Sequence, residues 1–104
     1  MGILQSTPMA AVTVYTTQWC GFCARAKELL RGKKVAFREV DVDSRPDLRA
    51  WLAEKTRQST VPQVFVNGAP LGGYTDIAAL DRSGRLDPLL DAPAAADADA
   101  ALKV

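Results

Sequence analysis

The sequence has no histidine and only two cysteines in 104 residues. A cytochrome-type haem site needs His directly after Cys-x-x-Cys, and that residue is Ala24. Structural zinc takes four ligands, so zinc would require a second chain to complete the set. Charge of one sign is also missing: 13 basic against 12 acidic residues leave a formal net charge of +1, without the basic face of a nucleic-acid binder. No run approaches the roughly 20 apolar residues of a membrane span. Met1 to Ala10 carries neither a basic region nor a long apolar stretch, so it does not read as a signal peptide. Met1-Gly2-Ile3-Leu4-Gln5-Ser6 fits the loose myristoylation pattern, but a frayed leader is the simpler reading.

Hydrophobic residues make up 48% of the chain, enough for one packed core and too short a length for two domains. We place a leader at 1–10, a domain at 11–91 and an Ala/Asp-rich tail at 92–104. The tail has little to bury and is expected to be a frayed helix or disordered.

Ala11 to Thr16 is a β-branched, apolar run without clean alternation, which predicts a buried strand. Phe22, Ala26, Leu29 and Leu30 then recur at helical spacing over Gly21 to Arg31, and Gly32 stops the helix. Val35 to Val42 reads as a second strand. Ser44 with Asp47 resembles a capping box, with Pro46 in the first turn and a helical stripe through Leu48, Trp51, Leu52 and Lys55. Val61 to Val66 is a third strand, with Pro62 confined to its start or edge. Asn67-Gly68 signals a hairpin into Ala69 to Leu71. Asp76 to Arg82 and Arg85 to Leu90 close the domain as two short helices. The order β-α-β-α-β-β-α implies an α/β fold: a mixed four-stranded sheet flanked by helices, with a right-handed crossover between the parallel strands.

Cys20 falls at the turn from the first strand into the first helix, where unpaired amides and the helix dipole favour negative charge. A sulfur so placed is favoured as thiolate, the species that attacks disulfides. Cys23 lies one helical turn later, in reach but more buried. Arg25 and Lys27 add positive charge nearby. Cys20 is thus the candidate attacking thiol and Cys23 the candidate resolving thiol. Two inert core cysteines would not sit at such an exposed turn. With no targeting signal, a cytoplasmic setting is expected, where structural disulfides are rare and Cys-x-x-Cys pairs are catalytic or metal-binding.

Val14 to Cys23, Thr60 to Gly68 and Gly72 to Asp76 resemble, in order and spacing, the three signature segments of glutaredoxins, over about Val12 to Leu90. The resemblance implies a thioredoxin-like fold and a glutathione-dependent thiol–disulfide oxidoreductase. It would then reduce glutathionylated or disulfide-containing proteins, as a monomer or as a cluster-bridged homodimer; charge and hydropathy point to no nucleic-acid or membrane partner. Pro62 would be a cis proline facing Cys20, exposing the Val61 backbone to glutathione. Thr75 and Asp76 would bind the γ-glutamyl end, and Arg57 or Gln58 would approach the glycyl carboxylate. Phe22, Thr60, Gly73 and Tyr74 complete the implied glutathione site together with Thr17, which stands where many glutaredoxins carry Lys. Gly21-Phe22 replaces the Pro-Tyr of common dithiol forms and matches the monothiol class, which binds a [2Fe–2S] cluster between two subunits with glutathione as co-ligand. Cys20 would be the metal ligand in such a homodimer. Tyr15-Thr16-Thr17, Trp19 and Cys20-Gly21 are also similar to mycoredoxins, which use mycothiol. Thioredoxin itself places an extra strand and helix before its reactive pair, and here one strand precedes Cys20.

Overall fold

A computed structural model describes residues 10–95, 97–98 and 102–104. The leader through position 9, with the myristoylation pattern, lies outside the described residues. The elements are β1 (Val12–Thr16), α1 (Gly21–Gly32), β2 (Arg38–Asp41), α2 (Pro46–Thr56), β3 (Gln63–Val66), β4 (Ala69–Gly72), α3 (Tyr74–Arg82) and α4 (Leu86–Asp91). They form one four-stranded sheet in the order β2-β1-β3-β4. β1 runs parallel to β2 and antiparallel to β3, and β3 pairs antiparallel with β4. The mixed sheet flanked by helices is the expected architecture.

β1 is buried along its whole length, which explains why its sequence does not alternate cleanly: both faces are covered. On one face Val12, Val14, Val64 and Val66 pack with Ala26 and Leu30 of α1, Ile77 of α3, and Leu86 and Leu90 of α4. On the other, Tyr15 and Phe65 pack with Val42 and with Leu48 and Leu52 of α2. The two-residue period of the strands thus deals side chains to two cores.

Several boundaries differ from the sequence reading. β2 starts at Arg38, not Val35. Lys34 adopts positive φ, and the Val35 N–H donates back to Leu30 O at 3.1 Å, so Val35 and Phe37 pack as loop residues against the first core. β3 starts at Gln63, because Pro62 has no N–H to give a ladder. The capping box at Ser44 and Asp47 does not form. Pro46 at the first helical position pushes Arg45 out of helical geometry, and Arg45 becomes the N-cap without a side-chain bond. Ser44 lies at φ 61° instead. α3 begins at Tyr74, two residues early, because the Asp76 carboxylate reaches back to the Gly73 N–H at 2.9 Å. The Asn67-Gly68 hairpin holds, with both residues at positive φ.

The described part of the tail is neither frayed nor loose. Asn67 gathers both ends of the domain: its Oδ1 accepts from Ala11 N (2.9 Å) and Ala95 N (3.1 Å), and its Nδ2 donates to Pro93 O (3.0 Å). Leu102 packs on the α2-side core. The Tyr15 hydroxyl donates to Lys103 O at 2.7 Å.

Burial of Tyr15 holds its proton up to about 12, against 10.0 ordinarily. The unfolded chain releases that proton first, so this group's stability contribution is present below pH 10 and lost as pH rises toward 12. Tyr15→Phe should lower stability at pH 8 by about 0.5–1.5 kcal/mol through the lost hydrogen bond. It should also flatten the decline of the urea midpoint between pH 8 and 11 relative to the unmodified chain. An equal decline in both proteins would separate Tyr15 from the alkaline response.

Candidate active site

Cys20 is the N-cap of α1, in extended conformation, and its sulfur accepts the Cys23 N–H at 3.1 Å. A sulfur thus occupies the place that a Ser or Asp oxygen usually takes at a helix start, at the positive end of the helix dipole. The Cys20 Sγ–H contacts Val61 O at 3.7 Å, which brings the sulfur beside the Val61–Pro62 bond. That bond is cis, as the resemblance implied. Both thiols are free.

The two cysteines differ in environment. Cys20 is partly exposed, whereas Cys23 is 1% exposed. Burial, followed by the hydrogen bond with Cys20, pushes the Cys23 thiol up to about 12; a backbone hydrogen bond from Thr17 and the charge of Lys27 act in the opposite sense. The two cations expected to serve the sulfur are engaged elsewhere: Lys27 pairs with Glu39 at 2.9 Å, and the Arg25 guanidinium lies 5.6 Å from the centre of the Phe22 ring.

Beside Cys20 opens a cleft of about 380 Å³. Three segments build it: Phe22 from α1, Gln58, Thr60, Val61 and Pro62 from the connection between α2 and β3, and Gly73, Tyr74, Thr75 and Asp76 from the start of α3. The Phe22 and Tyr74 rings stack across it, with centroids 6.2 Å apart. Gly72 stands at φ +105°, and a Cβ there would run into the Asp76 carboxylate, so glycine is required where the chain turns into α3. Asp76 is the one charged side chain in the lining.

Nine of the eleven residues expected to hold glutathione therefore come together around one cleft. Arg57 and Thr17 do not line it. Arg57 is the left-handed C-cap of α2 and exposed, which turns the chain so that Gln58 enters the cleft in its place. Thr17 faces Cys23 through its backbone. Two features escaped the sequence reading. Gln63 is fully buried behind the cleft and hydrogen-bonded to Gln58 at 2.9 Å; a glutamine inside an apolar strand was the available signal. Trp19, next to Cys20, is 97% exposed, which the sequence pattern does not indicate. Among the described residues no helix is long and apolar enough to cross a membrane.

The glutaredoxin family model matches residues 12–70. A glutaredoxin of Pseudomonas aeruginosa is 49% identical over 84 residues, covering 81% of this chain and all of that one. Glutaredoxin 3 of Escherichia coli is 43% identical over 82 residues, covering 79% and 99%. Among solved structures, the holo form of glutaredoxin C1 from Populus tremula × tremuloides aligns with a TM-score of 0.73 at 33% identity, covering 93% of this chain and 86% of that one. A buckwheat glutaredoxin–glutathione complex aligns with a TM-score of 0.73 at 31% identity, covering 78% and 76%. Sequence, fold and the sulfur-capped helix agree: the chain has the thioredoxin-like fold and belongs to the glutaredoxin family of thiol–disulfide oxidoreductases.

Proposed function

We propose that the protein reduces mixed disulfides of glutathione with proteins and small thiols, with Cys20 as the attacking sulfur and glutathione as co-substrate. The observation that carries this reading is the Cys20 sulfur, capped by the Cys23 N–H at 3.1 Å, standing against Val61 at the edge of the cleft. The buckwheat relative, solved as a glutathione complex, supports the same assignment.

The chemistry follows from the two environments. The Cys20 thiolate attacks the glutathionyl sulfur, the original S–S bond breaks, and the released protein thiolate takes a proton from solvent. The cleft holds the glutathione half, its γ-glutamyl end at Thr75 and Asp76 on the α3 N-terminus, its cysteinyl backbone at Val61 and its glycyl end toward Gln58. A second glutathione thiolate attacks the Cys20 mixed disulfide, leaves as glutathione disulfide and restores the Cys20 thiolate. Cys23 offers the other exit: it gives up its proton, attacks Cys20 and expels glutathione, and the resulting internal disulfide is reopened by glutathione. Burial keeps Cys23 protonated at neutral pH, so the route through a second glutathione dominates. The reducing cytoplasm is the compartment in which this cycle runs.

A second reading rests on the openness around Cys20: a Cβ added to Gly21 would meet nothing within 4 Å, and Trp19 stands almost wholly in solvent. A second copy of the chain can approach there. Among the described residues no three His, Cys, Asp or Glu side chains are grouped to hold a metal, and Cys23 is buried. In the arrangement that the Gly21-Phe22 resemblance implies, a [2Fe–2S] cluster would be held by Cys20 of two chains, with glutathione sulfurs completing the set. Protein purified without oxygen should then be brown, and Cys20→Ser colourless; a colourless unmodified protein rejects this reading.

Cys20→Ser should abolish glutathione-dependent reduction of a small glutathione mixed disulfide, while Cys23→Ser retains most of it. Loss of activity in Cys23→Ser alone would reverse the assigned roles. Iodoacetamide applied to the folded, reduced protein between pH 7 and 9 should alkylate Cys20 only, as read by mass spectrometry, with Cys23 reacting after unfolding. Labelling of Cys23 in the folded protein would contradict its burial as a protonated thiol.

A further inference from the structure

We infer that Gln63 is a positioning residue that fixes which end of the Gln58 amide the cleft presents to its ligand; this rests on the glutathione reading above. Gln63 opens β3 directly behind Pro62. It is fully buried and does not line the cleft, so it acts only through a neighbour. Its side-chain nitrogen donates to Thr60 O at 3.0 Å and to Gln58 Oε1 at 2.9 Å. A peptide carbonyl only accepts, so the atom facing Thr60 is the amide nitrogen. The second hydrogen of that nitrogen faces Gln58, which must answer with its oxygen. The NH₂ of Gln58 is then turned the other way, where it lies 3.5 Å from Asp76 Oδ2. A carboxylate also only accepts, so the two ends of the chain of bonds demand the same orientation. Asp76 Oδ2 holds the Gly73 N–H as well. One polarised series, Thr60–Gln63–Gln58–Asp76–Gly73, thus joins the two walls of the cleft.

Gln63 Oε1 has no hydrogen-bond partner, the one such buried side-chain atom among the described residues. A buried acceptor without a partner is unfavourable, and an apolar side chain of similar shape would avoid it. What the amide supplies in return is the orientation of Gln58. The consequence for recognition is specific: Gln58 offers the glycyl end of the ligand an N–H donor, matched to a carboxylate, in a cleft whose lining has no Lys or Arg.

The test uses steady-state reduction of the mixed disulfide of glutathione and cysteine by the unmodified protein, Gln58→Ala, Gln63→Leu and the double variant. Thermal unfolding is measured on each, and Gln63→Met stands in if the leucine variant does not fold. Gln58→Ala and Gln63→Leu should each raise KM about two- to tenfold, with kcat changed by less than about twofold. The double variant should be no worse than Gln58→Ala alone, since Gln63 has nothing left to orient. If Gln58→Ala raises KM and Gln63→Leu does not, or if the two effects multiply in the double variant, the positioning role is overturned while the glutathione site stands. An unchanged KM in Gln58→Ala overturns the placement of glutathione itself.

Discussion

The hydrogen bond from the Cys23 amide to the Cys20 sulfur is the constraint around which the site is organised. It makes the reactive atom part of the secondary structure, because a helix start without a cap leaves amide donors unsatisfied. The same bond fixes the distance between the two cysteines and places the first turn of α1 so that Phe22 faces the cleft. Cys23, in the first turn of α1, is drawn into the core by that helix, and its burial separates the two thiols chemically. One backbone interaction thus sets both the position of the Cys20 sulfur and the inequality of the pair.

The rest of the fold brings distant segments to that sulfur. β1 lies in the middle of the sheet, buried on both faces, and delivers the chain to α1 at a fixed height. β3 lies beside it in antiparallel register, with Tyr15 opposite Gln63, so the residues just before β3 come level with the end of β1. The hairpin and β4 then return the chain to the same edge, where Gly72 turns it into α3. Cleft residues between 22 and 76 in sequence become neighbours through strand pairing and the packing of α1 and α3 on the sheet.

Much of this was legible in the sequence, and the reasons are physical. The change of period after Thr16 marks the strand-to-helix turn that carries Cys20. Asn67-Gly68 encodes the hairpin because both positions need positive φ. Nine of the expected cleft residues fall together because they belong to three short segments with strong local signals. What was not legible depends on contacts between segments. Arg57 and Gln58 are adjacent, and only the left-handed end of α2 decides which of them enters the cleft. Ser44 and Asp47 have the spacing of a cap, but Pro46 forces the helix to start one residue later. The tail looked too poor in apolar residues to pack, yet Leu102 and the Lys103 carbonyl find partners on Tyr15 and its surroundings. Gln63 stands out locally only as a glutamine in an apolar strand; its bonds to Thr60 and Gln58 exist only once the chain folds.

The two tryptophans stand in different surroundings. Trp51 stacks on Phe65 with centroids 5.7 Å apart and lies 5.8 Å from Tyr15, half-buried against the α2-side core. Trp19 is almost wholly in solvent, one residue before Cys20. Trp19 and Trp51 should therefore contribute to the intrinsic fluorescence of this chain from different surroundings, the one from solvent beside Cys20 and the other from the edge of the α2-side core.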